Sequence, residues 1–216
     1  MLKDNKKTLI ITSIVTLLPA LIGIFLWNRL PDVMATHFGL DNEADGFSSK
    51  IFAVFGLPLF CLALLWMCAW VTSRDPRKKN ISPKIMTLVL WLIPAVSIVA
   101  AVFTYSYNLG MGQKMDLIMG LLCGFLFIVI GNYLPKTRQN YTIGIRIPWT
   151  LENEDNWNRT HRFAGFLWVA GGIFMVIMAF TGLAGNGLLI GFILVISLIP
   201  CIYSYLLCKK AGTQSH

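Results

Sequence analysis

The apolar positions of this chain fall in long blocks, not in the short alternations of a soluble fold. Six stretches, 8–27, 51–72, 85–107, 115–134, 163–181 and 188–207, carry almost no charge. Each is close to the roughly 20 residues that a helix needs to cross about 30 Å of hydrocarbon. The pattern predicts an all-α integral membrane protein with six transmembrane helices. Two connections are long, 28–50 and 135–162, and the rest are short, so whatever chemistry is not helix packing is concentrated in those two segments. The chain divides into halves of three spans each, 1–107 and 108–216, with a similar order of long and short connections. Both long connections open on Leu-Pro (Leu30-Pro31 and Leu134-Pro135). An inverted repeat of the kind found in transporters is one expectation from that order.

Composition agrees with a lipid environment: 56% of residues are apolar and 13% charged, against about 25% charged in an average soluble domain. The first stretch follows Lys3, Lys6 and Lys7 and runs into Trp27-Asn28-Arg29 without a small-residue cleavage site, so it reads as a retained helix. The net charge of +8 changes the picture only through its distribution. Fifteen of the eighteen cations lie at the N-terminus, in 73–83 and its flank, in 135–162 and at Lys209-Lys210; Arg29, Lys50 and Lys114 are the others. Cations resist translocation, so both termini and the basic loops are expected in the cytoplasm, and the acidic segment with Asp32, Asp41, Glu43 and Asp45 outside. A nucleic-acid reading of the basic charge is unnecessary. The five cysteines, Cys61, Cys68, Cys123, Cys201 and Cys208, lie in the spans, the last at the end of its helix, and are expected as free thiols packed like small apolar side chains.

The segment 28–50 is too patterned for a slack loop. Residues 34–38 read as extended, Asp41-Asn42 and Asp45-Gly46 as turns, and Ser48 or Ser49 as a cap on the second span. His37 among Asp41, Glu43 and Asp45 allows a metal or pH-sensing site, but no second His or Cys completes a usual ligand set, which favours a hydrogen-bonded structural role. The linker 73–83 reads as a solvated turn with Ser82 capping a helix that starts at Pro83. In 135–162, Thr150 reads as the N-cap of a short interfacial cytoplasmic helix that leads into the fifth span, with Glu152, Glu154 and Asp155 in the first turn and an Asp155–Arg159 pair at i,i+4. Trp149, Trp157, Tyr133 and Tyr141 read as anchors at the headgroup level. Arg146, between two isoleucines, has lipid phosphate, a helix C-terminus or a carboxylate as candidate partners.

Asn132, Leu134-Pro135, Asn140, Gly144-Ile145-Arg146, Pro148-Trp149-Thr150-Leu151, Trp157, Thr160-His161 and Gly165 resemble the signature of the SdpI-type bacterial immunity protein family. The preceding segment is similar to the small domain of that family, with Leu30-Pro31, Thr36-His37-Phe38, Asp45-Gly46-Phe47 and Ser49-Lys50; Ala35 and Asn42 depart from its usual Pro and Gly. The resemblance implies a multi-pass protein of the bacterial cell membrane that protects against a secreted peptide toxin, and a cytoplasmic transcriptional repressor as a further partner. It points to His37, Phe38, Asp45, Gly46 and Lys50 as toxin-binding candidates. Asn132, Asn140, Gly144, Arg146, Pro148, Trp149, Thr150, Trp157, Thr160 and His161 are the signalling candidates. No cofactor or metal is expected. A transporter or exporter of an apolar or peptide substrate is the alternative, though no ionisable group lies near a span centre to couple ions. An enzyme is not expected: His37, His161 and His216 are scattered and no nucleophile has a base beside it.

Overall fold

The computed structural model describes residues 4–39, 43–111, 115–182 and 186–213. Six of its helices are long and apolar enough to cross a membrane, spanning Lys6–Phe25, Phe52–Ser73, Pro83–Asn108, Leu117–Lys136, Glu154–Thr181 and Gly187–Lys210. Each lies over one of the six apolar blocks. Phe25, Phe166, Phe180 and Leu188 stand on exposed faces of these helices, as lipid contact requires. The five cysteines are free thiols.

The elements in chain order are α1 (Lys6–Phe25), β1 (Val33–Phe38), β2 (Ala44–Ser49), a π-helical turn (Phe52–Gly56) leading into α2 (Leu57–Ser73), and α3 (Pro83–Asn108). They continue with α4 (Met115–Tyr133), the single-turn α5 (Pro148–Glu152), α6 (Glu154–Thr181) and α7 (Asn186–Thr213). They form two compact units, one of residues 1–73 and 86–118, the other of 74–85 and 119–216.

In the first unit, α1 and α3 are joined by polar groups inside an apolar setting. Ser97 Oγ donates to the carbonyl of Thr16 at 3.2 Å, and the Tyr105 hydroxyl to that of Pro19 at 2.9 Å. Thr12 and Thr16 satisfy their own hydroxyls on carbonyls of the preceding turn, the arrangement that makes Thr tolerable in a spanning helix. Leu30, Met34, Ala53, Val54 and Tyr105 close the core beneath the hairpin.

In the second unit, α4 and α6 approach along a seam of small residues. A Cβ on Gly120 would stand 2.7 Å from Ala179 Cβ, one on Gly124 2.8 Å from the Gly172 carbonyl, and one on Gly131 2.9 Å from the Val169 nitrogen. Without an intervening side chain the two backbones reach contact distance, which is how helices gain packing energy in lipid. α7 packs on the other side, where Trp168 Nε1 donates to the Ile196 carbonyl at 3.1 Å.

Candidate functional site

The hairpin β1–β2 is antiparallel, pairing Val33 with Ser49, Met34 with Ser48, Ala35 with Phe47, His37 with Gly46 and Phe38 with Ala44, with two register irregularities. Its strand β1 lies where extended structure is expected, but Asp45-Gly46 is not a turn. Both residues lie within β2, and the chain closes nearer residue 39, where Gly39 N–H donates to the Glu43 carbonyl. The reason is local crowding: a Cβ on Gly46 would come within 2.6 Å of His37 Cβ, so glycine serves here as the residue that lets two strands approach. The Asp41-Asn42 turn falls outside the described residues.

Three of the five candidates in this region hold the hairpin in place. Phe38 packs edge-on against Phe103 and Tyr107, with centroids 4.8 and 4.7 Å away. Lys50 is sunk at the neck, its ammonium bonded to Asp32 at 2.9 Å and the Trp27 carbonyl at 3.2 Å and lying 5.2 Å from the Trp27 ring. Gly46 makes room for His37. The remaining two face outward: His37 Nδ1 meets Asp45 Oδ1 at 2.5 Å with side chains 74% and 53% exposed. A residue that sequence reasoning passed over completes the design. Asn108, at the end of α3, accepts from Ala35 N–H at 2.9 Å and donates to the Ala35 and Thr104 carbonyls at 3.0 and 2.8 Å. Its amide replaces a third strand beside β1. Ser49 Oγ receives the Phe52 N–H, as a cap on the second span would, while Ser48 pairs with the Thr36 hydroxyl.

The segment 135–153 is held by a polar knot. Asn140, fully buried, accepts from the N–H groups of Thr142 and Ile143 and donates to the carbonyls of Arg138 and Ile143. Its neighbour Gln139 donates to the carbonyls of Thr150 and Leu151 and accepts from the Arg77 guanidinium. Asp75, 3% exposed, accepts from the Arg77 and Tyr141 N–H groups and from the Thr142 hydroxyl. The linker 73–83 is therefore not simply solvated. Its lone acid was obscured by the surrounding cations, and its burial depends on residues more than sixty positions away. Ser82 does cap the helix opening at Pro83, accepting from the Ile85 N–H at 3.3 Å.

Thr150 and Trp157 differ from expectation. Thr150 lies inside α5, where its hydroxyl accepts from Ile147 N–H and donates to the Ile145 carbonyl. The cap of the long helix is Asn153, which accepts from Asn156 N–H at 2.9 Å; the break in φ,ψ at Asn153 separates α5 from α6. Trp157 is no headgroup anchor. It is completely buried, donates Nε1 to the Thr137 carbonyl at 2.7 Å and stacks on His161 with centroids 4.0 Å apart. His161 Nδ1 lies 2.8 Å from the Trp157 carbonyl, and Nε2 receives the Ile145 N–H at 3.0 Å. A carbonyl only accepts and an amide only donates, so this ring is a neutral imidazole with its proton on Nδ1. Gly144, at φ +115°, sits against that ring and Trp157; a Cβ there would collide with His161 Nε2. Thr160 donates to Asn156 Oδ1, which also receives Ser204 Oγ–H, while Asn156 Nδ2 donates to the Ser204 carbonyl, joining α6 to α7.

Other signature residues are on the surface. Asn132 is exposed and 3.4 Å from Lys136 Nζ. Arg146 is exposed and donates to the Tyr141 carbonyl at 2.9 Å, with Pro148 exposed two residues on. Trp149 is half-buried, edge-on to Tyr205, and its Nε1 has no partner among the described residues. Tyr141 lies beneath the Arg77 guanidinium at 5.0 Å, and the Asp155–Arg159 pair forms at 3.6 Å with both ends exposed. No group of three or more His, Cys, Asp or Glu that could hold a metal occurs among the described residues.

Six spans, a hairpin pinned to the end of one of them and a self-satisfied polar knot in a second unit define a multi-pass membrane protein built around two ordered connections. Residues 136–204 match the SdpI/YfhL protein family, and residues 14–71 match a domain of unknown function, DUF1648. The chain is similar to "Immunity protein SdpI" of Bacillus subtilis (strain 168), with 29% identity over 209 residues, covering 94% of this chain and 97% of that protein. These matches establish the likeness to the SdpI-type immunity proteins that the signature residues carry, and with it a multi-pass protein of the bacterial membrane. No solved structure matches the chain.

Proposed function

We propose that this chain is a membrane immunity protein that protects the cell producing it from a secreted peptide toxin, with the hairpin facing outward as the receptor and the knot facing the cytoplasm. The observation that carries the reading is the near full-length similarity to an immunity protein, which extends through both ordered connections. The distribution of cations supports the orientation: the knot is flanked by Lys78, Lys79, Lys84, Lys136, Arg138 and Arg146, the hairpin by acids. Neutralisation by binding needs no catalytic group. Expressing the chain in a toxin-sensitive strain tests it; survival rises with the chain present, and unchanged killing contradicts the assignment.

A cytoplasmic repressor as second partner belongs to this proposal. The exposed strip of Tyr141, Arg146 and Pro148, mounted on the buried knot, is a surface of fixed shape suited to such a partner. Co-purification of a transcription factor with the wild-type chain and not with Arg146→Ala would bear that out, and equal recovery with both would contradict it.

A further inference from the structure

The two margins of the hairpin are not equivalent. On β1, both main-chain groups of Ala35 turn away from β2, because both bond to Asn108. Directly opposed residues in an antiparallel pair either exchange both hydrogen bonds or neither. Ala35 stands opposite Phe47, so the N–H and C=O of Phe47 also turn away from the partner strand, onto the free margin of β2. The same alternation puts the N–H of Ser49, opposite Val33, on that margin, and Lys50 N–H, one residue on, points inward to the Asp32 carbonyl. Among the described residues, neither Phe47 nor Ser49 has a backbone partner beyond the hairpin. The Phe47 side chain is 62% exposed beside these groups.

Exposed strand edges are usually blunted by Pro, by a charge on the edge or by a covering element. Here the β1 margin is covered by Asn108, whereas β2, Ala44-Asp-Gly-Phe-Ser-Ser49, has no Pro or Lys, and its one charge, Asp45, is paired with His37. The groups on offer select an occupant: alternating N–H and C=O groups with an aromatic beside them fit an extended chain added as a third strand. Charge selects among extended chains. Residues 30–50 hold Asp32, Asp41, Glu43 and Asp45 against the single cation Lys50. A second copy brings an equally acidic hairpin and is repelled, while a basic segment is attracted.

We infer that the free margin of β2 captures a net-basic segment of the secreted peptide in extended form, by strand addition at Phe47 and Ser49. The inference rests on the immunity reading and names its recognition mode. Main-chain bonds supply the grip and Phe47 a side-chain contact, so recognition tolerates variation in peptide sequence.

Phe47→Pro and Ser49→Pro each remove an outward N–H without touching the ladder to β1, a position that strands permit for proline. Ser49→Pro also removes the Oγ that receives the Phe52 N–H, so Ser49→Ala, which loses that cap and keeps the outward N–H, is its control and should protect like wild type. Phe47→Ala keeps the backbone groups. A Val33→Cys/Ser49→Cys pair, opposed in a non-hydrogen-bonded position at the separation a disulfide requires, reports whether the hairpin survives in Phe47→Pro. The probe is conditioned medium from a toxin-secreting strain that carries this gene, applied to an indicator strain that it kills. With the wild-type chain protecting and the disulfide forming, the proline variants are expected to lose about tenfold or more in protective dose and Phe47→Ala less, equivalent to 1.4 kcal/mol or more of binding. Proline variants that protect like wild type overturn strand addition and leave immunity standing. A wild-type chain that does not protect overturns the immunity reading itself. Disulfide-linked dimers of Phe47→Cys in membranes without the peptide would assign the margin to a second copy and overturn the inference.

Discussion

The hairpin and the knot carry family-like residues in similar number but use them in opposite ways. In the knot, Asn140, Thr150, Trp157, Thr160 and His161 are buried; four of them are bonded to main-chain groups of 137–157 and Thr160 to the Asn156 side chain. Little of their hydrogen-bonding capacity is left for a ligand. In the hairpin, Phe38, Gly46, Lys50 and Asn108 do the holding, while His37, Asp45 and Phe47 stand in solvent. Buried polar networks are costly when incomplete and rigid when complete, whereas a hairpin anchored at one margin leaves the other free to bind. The signature-like residues of the knot therefore hold shape, whereas those of the hairpin divide between holding it and standing in solvent.

Changes to the knot are expected to be the most damaging. Gly144→Val places a β-branched side chain at φ +115° and against His161, a strain of about 3 kcal/mol or more. The amount of folded protein in membranes and its thermal midpoint should both collapse. Asp75→Ala leaves the Arg77 and Tyr141 N–H groups without their acceptor and the Thr142 hydroxyl with only Asn140 Oδ1 at 3.3 Å, at a cost of about 3 kcal/mol. A wild-type thermal midpoint in that variant would mean that the knot is less tightly built than its bonds indicate.

Asn108→Ala sits between the two extremes. It frees the β1 margin while sparing the spans, so exchange of the Ala35 amide should accelerate by about tenfold, the equivalent of 1.4 kcal/mol, with the thermal midpoint nearly unchanged. An unaltered exchange rate would remove the anchor from the account. His37→Ala is the smallest change: an exposed pair contributes about 1 kcal/mol or less to stability, and abundance and midpoint should stay at wild-type values.

The spans were legible because length and hydropathy alone specify them, and only their ends moved. α6 begins at Glu154, merging the expected interfacial helix with the span, because Asn153 supplies the cap that Thr150 does not. β1 was legible from its extended pattern. β2 was not, since Asp45-Gly46 is a strong local turn signal and only the crowding against His37 shows why glycine is there. The signature of 132–165 was recognisable as residues, but the roles of Trp157 and Thr150 depended on burial, and Asp75 on partners far along the chain. The seam of Gly120, Gly124 and Gly131 against Gly165, Gly172 and Ala179 had a readable signal in its spacings of four and seven residues. Small residues in apolar blocks blend into the hydropathy pattern unless that spacing is sought.

The division between a contacting hairpin and a shape-holding knot is tested most directly by protection measured per molecule of folded protein. The double variant His37→Ala/Asp45→Ala, alongside Phe47→Pro and Asn140→Ala, would be titrated against the toxin with each chain quantified in the membrane. The account predicts that the hairpin variants lose protection at normal abundance, while Asn140→Ala loses protection only in proportion to the protein it loses. Full protection by the hairpin variants, together with a normally abundant Asn140→Ala that fails to protect, would contradict it.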